Sequence, residues 1–393
     1  MINKKDRIFL ASALSFALAT GATTAAGAEP GVTADSIVFG QSAALEGPAS
    51  ALGQGMREGI LAAFEEVNRN GGVNGRRLEL KSYDDGYEPE RAIAQTKKLI
   101  NQDKVFALIG GVGTPTSKAA QPIATEAGVP YIGPFTGAGF LRSQDLGNVV
   151  NVRGSYDQET EAWIQHLTED LKFDRIAILY QDDSFGRAGL SGVKKAMEKR
   201  GMSLVAEGTY KRNTTAVKTA LLEIRKAKPQ AVVTVGAYKP IAEFIKLARK
   251  VKMDSVFLNI SFVGSKALAQ ELGAKGDGVV ITQVVPFPWD TSLPLVKNYQ
   301  AAMKAQNAGA DFGFVSLEGY MVGRLTIMAL QRMQGEPTRD GLLNTFSSTG
   351  SFDLGGVTLT FGPGDNQGMD RVFLTVIKPD GSFQPVSGLD ELG

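Results

Sequence analysis

Val105-Phe106-Ala107-Leu108-Ile109-Gly110-Gly111-Val112-Gly113-Thr114-Pro115-Thr116-Ser117 is the stretch on which the reading of this chain turns. The apolar, β-branched run Val105–Gly110 fits a buried strand, and Pro115–Ala127 repeats its apolar positions at helical spacing. Between them, Gly111 and Gly113 let a backbone approach a ligand closely. Thr114 suits the N-cap, and Pro115 suits the first helical position, where its missing N–H costs nothing. Free N–H groups, the positive helix end and nearby hydroxyls then meet at one point, and together they would receive a carboxylate well. A plain capped helix accounts for the same residues, so the neighbouring segments have to decide.

The neighbours repeat the pattern. Before and after this stretch, strand candidates at Ile37–Gly40, Leu78–Tyr83 and Val129–Gly133 alternate with helices near Gly53–Asn68, Pro89–Asn101 and Pro115–Ala127. A polar break at Ser143–Asn148 leads into Val149–Arg153. The series then restarts with strands Ile176–Tyr180, Leu204–Tyr210, Ala231–Val235, Val256–Ile260 and Val279–Val285. Helices Glu159–Leu171, Gly186–Arg200, Ala216–Lys226, Ile241–Lys250 and Lys266–Leu272 fill the gaps. Short strands separated by helix-length connections imply parallel sheets covered on both faces. Two series predict an α/β protein with two lobes. Helical stretches Leu295–Gln306 and Phe314–Gln334 must pack back on one of them, before the strand-like Val357–Phe361 and Val372–Ile377. Segments near Val149, Val284 and Phe373 are the expected crossings between lobes.

Composition narrows the function. Lys4, Lys5 and Arg7, the apolar run Ile8–Leu18 and the small residues to Ala28 read as a secretory signal peptide cut after Ala28, which marks the chain for export. No later run approaches the ~20 apolar residues of a spanning helix. The sequence has no cysteine, so a lipid anchor, a thiolate nucleophile, disulfides and cysteine-held metal are excluded. A formal charge of +1 at pH 7 offers nothing to nucleic acid or an anionic membrane. With 393 residues, 43% of them hydrophobic, the chain exceeds what one core usually serves.

In open α/β sheets, ligands bind outside the carboxyl ends of the strands. Besides Gly113 and Thr114, that edge should carry Phe135 and Thr136 after the next strand. In the second half it should carry Asp183 and Phe185 of Tyr180-Gln181-Asp182-Asp183-Ser184-Phe185, and Tyr238 of Val235-Gly236-Ala237-Tyr238. Tyr156 stands just after the first crossing. Aromatic groups facing loops of the other lobe would bury a solute's apolar part. Each of them would equally serve as a half-buried packing residue.

Enzyme readings find little support. His166, the single histidine, lies in an amphipathic helical stretch. The pairs Asp84-Asp85 and Asp182-Asp183 suit turn and helix caps as well as acid–base chemistry. Gly53-Gln54-Gly55 resembles a dinucleotide fingerprint, but Glu58 fills its third glycine position. No metal-ligand spacing occurs, and no cofactor is expected.

Several motifs in order carry a family resemblance. They are Asn68-Arg69-Asn70-Gly71-Gly72-Val73-Asn74-Gly75, Tyr83-Asp84-Asp85 before Pro89, Ala107-Leu108-Ile109-Gly110 before Thr114, Gly128-Val129-Pro130, Arg175–Tyr180 ahead of Phe185-Gly186, and Gly278-Val279-Val280. Over nearly the whole chain after residue 28 the sequence resembles the type I periplasmic solute-binding proteins, specifically the leucine/isoleucine/valine-binding family of branched-chain amino acid ABC transporters. The resemblance implies two Rossmann-like lobes, doubly wound parallel sheets joined by three crossing segments, with a ligand in the cleft. The lobes are then expected at 29–152 with 284–370, and at 153–283 with 371–393.

The resemblance also places Thr114 where a hydroxyl receives the ligand carboxylate, Phe135 and Thr136 beside it, and Tyr238 and Phe185 at aromatic cleft positions. Two departures bear on the ligand. Ser261 stands where the family commonly has an acid for the ligand's ammonium, which leaves Asp183 or Glu318 to supply that anchor. Leu52 replaces an aromatic of the side-chain pocket. The expected ligand is a branched-chain or other amino acid, or an aromatic or keto acid lacking the amine. The expected partner is a membrane ABC permease served by a monomer with no membrane anchor. A periplasmic sensor feeding a membrane receptor is the alternative, which a neighbouring receptor gene would favour. A nucleotide-cofactor enzyme, which would turn its solute over, is the remoter one.

Overall fold

The computed structural model describes residues 29–392, so the segment expected to be a signal peptide lies outside the described residues. The first lobe is built on strands β1 (Ser36–Ala43), β2 (Arg77–Asp84), β3 (Ala107–Ile109), β4 (Tyr131–Ile132) and β5 (Val149–Val150). They pair in the order β2-β1-β3-β4-β5, each pair parallel. Helices α1 (Ser50–Asn68), α2 (Pro89–Asn101) and α3 (Thr114–Glu126) make the crossovers such pairing requires.

The second lobe alternates in the same way. Its elements are α4 (Tyr156–Glu169), β6 (Ile176–Gln181), α5 (Ser184–Glu198), β7 (Ala206–Tyr210), α6 (Lys218–Lys226), β8 (Ala231–Val235), α7 (Tyr238–Lys250), β9 (Val256–Asn259), α8 (Ser265–Leu272) and β10 (Val280–Gln283). Helix α4 starts where it does because Ser155 and Gln158 form a reciprocal capping box.

Beyond β10 come α9 (Pro294–Gln306), α10 (Phe314–Arg332), α11 (Arg339–Thr349), and the hairpin β11 (Ser351–Asp353) and β12 (Thr358–Thr360). The chain then adds β13 (Phe373–Ile377) and β14 (Phe383–Val386) to the second sheet, whose order is β14-β13-β10-β9-β8-β6-β7. The sheet is parallel from β7 through β10, as expected, and carries an antiparallel edge besides. Strand β13 runs antiparallel to β10, and β14 antiparallel to β13, because five residues between β13 and β14 permit only a hairpin. Val357–Phe361, expected as a strand, pairs only within the small β11–β12 hairpin.

Small residues decide where the late helices go. Helices α9 and α10 pack on α1, and the contact between α1 and α10 is close enough that glycines form it. A Cβ on Gly59 would collide with the Ser316 carbonyl, and one on Gly319 with the Met56 carbonyl. The chain thus leaves the second lobe after β10 and returns to the first. It crosses three times, after β5, after β10 and before β13. The first and third crossings are stitched together: Asn151 N–H donates to the Asn366 carbonyl at 2.7 Å, and Gly368 N–H donates to the Asn151 carbonyl at 2.8 Å.

Candidate functional site

The parallel strands of both sheets end toward the junction of the lobes, and local backbone chemistry aims the loops there. The loops after β3 and β4 are zipped together. Phe135 N–H donates to the Gly111 carbonyl at 2.7 Å and Gly113 N–H to the Phe135 carbonyl at 3.2 Å. Gly113, at φ 105, is the N-cap of α3. The Tyr87 ring lies where any Cβ at this position would stand, so both the conformation and the space call for glycine. Thr114 was expected to cap the helix and instead falls inside it. Its hydroxyl makes no capping bond and meets the Thr136 hydroxyl at 2.6 Å, both groups buried.

The second lobe presents rings to this hydroxyl pair. Phe185 lies 5.5 Å from Tyr156 and 4.5 Å from Phe262, and Phe262 lies 5.2 Å from Phe135 and 5.9 Å from Tyr87. Thr114, Thr136, Phe135, Tyr156 and Phe185 therefore come together in one buried cluster. The Tyr156 hydroxyl sits close enough to the Thr114 and Thr136 hydroxyls to feel them but completes a hydrogen bond with no group. Burial pushes its pKa up.

Arg153 joins the same buried cluster and is absent from the candidates that the sequence offered. It follows β5 in the first crossing and is fully buried. Its guanidinium carbon lies 4.8 Å over the Phe135 ring and 6.0 Å from that of Tyr156. One nitrogen, Nη2, donates to Ser261 Oγ. Carboxylates flank it, Glu159 at 3.5 Å and Glu318 at 3.7 Å. Even so, Nε and Nη1 have no hydrogen-bond partner. Burial works against the guanidinium's charge, but the Glu318 and Glu159 carboxylates outweigh it and raise its pKa. The signal available in the sequence was an arginine ending an otherwise apolar run, Val149-Val150-Asn151-Val152-Arg153. Charged side chains are rarely fully buried unless they are partnered.

The two glutamates differ. Glu159 accepts from Ser261 N–H at 2.8 Å, Ser261 Oγ at 2.8 Å and Thr282 Oγ1 at 2.5 Å. Ser261 thus bridges Arg153 and Glu159, and it brings an acid's position to the cleft through a residue 102 positions earlier in the chain. Glu318, on α10, faces Arg153 without a comparable set of donors. Burial raises its pKa to about 7, with the Arg153 charge opposing that shift.

The remaining candidates lie at the margins. Leu52 lines a cavity of about 190 Å³ between α1 and α8. Nearby, the Tyr238 hydroxyl accepts from Ala51 N–H of the first lobe at 3.4 Å. Asp183 caps α5 by accepting from Phe185 N–H, and its other oxygen takes Arg212 at 2.8 Å and Gln181 at 2.7 Å. Arg212 also holds Glu88 of the first lobe at 2.7 Å, so Asp183 belongs to a strap across the lobes. His166 pairs with Asp170 on α4 at 2.7 Å. Asp84 accepts from Leu45 and Glu46 N–H at 2.8 and 2.9 Å, as a turn cap does. A larger groove of about 650 Å³, lined by Trp289, Phe287, Phe383 and Lys266, adjoins the Leu52 cavity through Lys266, Gln270 and Asp311 and includes no residue of the buried cluster.

Comparison with known proteins agrees with this architecture. The family model described as "periplasmic binding protein" matches residues 36–382. A leucine-, isoleucine-, valine-, threonine- and alanine-binding protein of Pseudomonas aeruginosa is 26% identical over 284 residues, 72% of this chain and 75% of the relative. Among solved structures, a protein of Rhodopirellula baltica described as "a possible leucine/isoleucine/valine-binding protein" superposes with a TM-score of 0.87 at 39% identity, covering 91% of this chain and 98% of that one. A substrate-binding periplasmic protein of Ralstonia solanacearum gives a TM-score of 0.84 at 26% identity, covering 89% of this chain and 100% of its own. Two α/β lobes, three crossings and a family match over most of its length establish that this chain belongs to the type I periplasmic binding proteins, which are solute-binding proteins and not enzymes.

Proposed function

We propose that this protein is the periplasmic receiver of an ABC transporter and that it captures a small carboxylate where its lobes meet, then presents the liganded form to a membrane permease. The lobes are taken as 29–152 with 284–370, and 153–283 with 371–393. One relative is named for the amino acids it binds, and a structural neighbour is described as a branched-chain amino acid transporter's substrate-binding protein, which supports the transport reading.

One observation carries the carboxylate: beside the paired hydroxyls of Thr114 and Thr136, the buried Arg153 Nη1 and Tyr156 hydroxyl complete no hydrogen bond, and Arg153 Nε has only Glu318 at 3.7 Å before it. Buried polar groups are otherwise almost always paired, and leaving them unpaired is costly. An anion would give Arg153 Nη1 and the Tyr156 hydroxyl an acceptor. Phe135, Phe185 and Phe262 would cover the rest of the solute.

Thr114→Ala tests the reading. Losing one hydrogen bond to a charged, buried oxygen should weaken carboxylate binding by ~1–3 kcal/mol, roughly tenfold or more, in isothermal calorimetry. Unchanged affinity would remove Thr114 from the site.

A further inference from the structure

We infer that the cleft selects carboxylic acids lacking an α-amino group and discriminates against the matching amino acids, with Arg153 as the specificity-determining residue. This rests on the carboxylate reading above and narrows its substrate class.

Donors and acceptors around the hydroxyl pair are unevenly matched. Nε and Nη1 of Arg153 are donors with no hydrogen-bond partner, the Tyr156 hydroxyl can donate or accept, and the free acceptors are the Glu318 carboxylate oxygens, which face Arg153 Nε at 3.7 Å. An ammonium group brings three further donors and no acceptor. It needs a carboxylate with free lone pairs, and the acid best placed to offer one is fully committed. The carboxylate of Glu159 has about four acceptor sites. Ser261 N–H, Ser261 Oγ and Thr282 Oγ1 occupy three of them, and the Arg153 guanidinium stands 3.5 Å from one oxygen.

Asp183 is likewise taken, by Arg212, Gln181 and Phe185 N–H. Glu318 remains, but the nearest cation to it is Arg153 at 3.7 Å. An ammonium reaching Glu318 would have to share it with that guanidinium. Because an α-ammonium is tied to its own carboxylate by two bonds, a carboxylate gripped by Arg153 holds the ammonium within a few ångströms of a like charge in a buried site, where such repulsion is weakly screened. An oxo or hydroxyl oxygen at the same carbon accepts hydrogen bonds and sets no like charge against Arg153.

The rings set the other half of the ligand. Phe135, Phe185 and Tyr87 are buried, and each packs against the buried Phe262. They form an apolar surface suited to a phenyl, indole or branched aliphatic body.

The test is a calorimetric panel on the wild-type protein freed of bound solute. It pairs phenylpyruvate with phenylalanine, indole-3-pyruvate with tryptophan and 4-methyl-2-oxopentanoate with leucine. The inference expects at least one oxo acid to bind tenfold or more tightly than its amino partner. Arg153→Met should abolish that binding. Arg153→Lys, which keeps the charge and the fold, should weaken the oxo acid while still rejecting the amine. Equal or tighter binding of the amino acids would overturn the selectivity and leave the carboxylate site standing. Failure of every acid, oxo and amino alike, would overturn the carboxylate site itself, and the inference with it.

Discussion

Replacing Arg153 with methionine removes the central charge of the lobe junction, and the structure sets the size of the effect. At 3.5 and 3.7 Å from Glu159 and Glu318, and with an effective dielectric of about 20, each Coulomb attraction is worth about 4–5 kcal/mol before desolvation. Burying the guanidinium offsets several kcal/mol of that, so the ion cluster is a modest net contributor. Removing one partner is different, because it strands the others, typically at a cost of about 3–5 kcal/mol. Here the stranding is partial. Glu159 keeps three hydrogen bonds, and Glu318, raised to about 7, can take up a proton. The expected loss is therefore at the lower end, about 3 kcal/mol. Urea unfolding followed by the fluorescence of Trp163, which is buried on α4, measures it. Adding Glu318→Gln to Arg153→Met should return part of the stability, since a neutral amide needs no cation. A loss under about 1 kcal/mol, or no recovery in the double variant, would refute the picture of Arg153 as the counter-ion of both acids.

Other expectations follow from single contacts. Burial makes the folded protein hold the Glu318 proton to about pH 7, against an ordinary value of 4.5. The folded state thus binds more protons than the unfolded one between those values, and stability falls as pH rises through that window. Glu318→Gln should flatten that slope in thermal melts while leaving the same-signed part from Asp85, which burial raises to about 6; an unchanged slope counts against a buried, protonated Glu318. Gly59→Ala would force α1 off α10 at the Ser316 carbonyl and should cost ~1–3 kcal/mol in the same unfolding assay. A neutral outcome would mean that the helices separate freely.

Much of the architecture was legible because it depends on local periodicity. Ile37–Gly40 and Leu78–Tyr83 lie inside β1 and β2, and the helix expected at Leu295–Gln306 differs from α9 by one residue. The misses have physical causes. Arg339–Thr349 carries Gly341, several Ser and Thr residues and few apolar positions, so α11 shows little amphipathic signal. Strand β14 reads Phe383-Gln384-Pro385-Val386, and its proline lowers any strand expectation.

The candidate site divides in the same way. Strand-end hydroxyls and aromatics declare themselves by position, which is why Thr114, Thr136, Phe135 and Phe185 could be named. Phe262 and Arg153 could not. Phe262 follows Ser261 in a short turn with no distinctive pattern. The role of Arg153 arises from residues 6, 108 and 165 positions away, Glu159, Ser261 and Glu318, and no window of sequence contains them together.

A crystal structure of the protein with a bound carboxylate from the panel tests the central claim most directly. The account predicts carboxylate oxygens within hydrogen-bonding distance of Arg153 and of at least one hydroxyl among Thr114, Thr136 and Tyr156, with the solute's body against Phe135, Phe185 or Phe262. A solute seated instead in the groove of Trp289 and Phe383, with the Arg153 nitrogens still unpartnered, would contradict it.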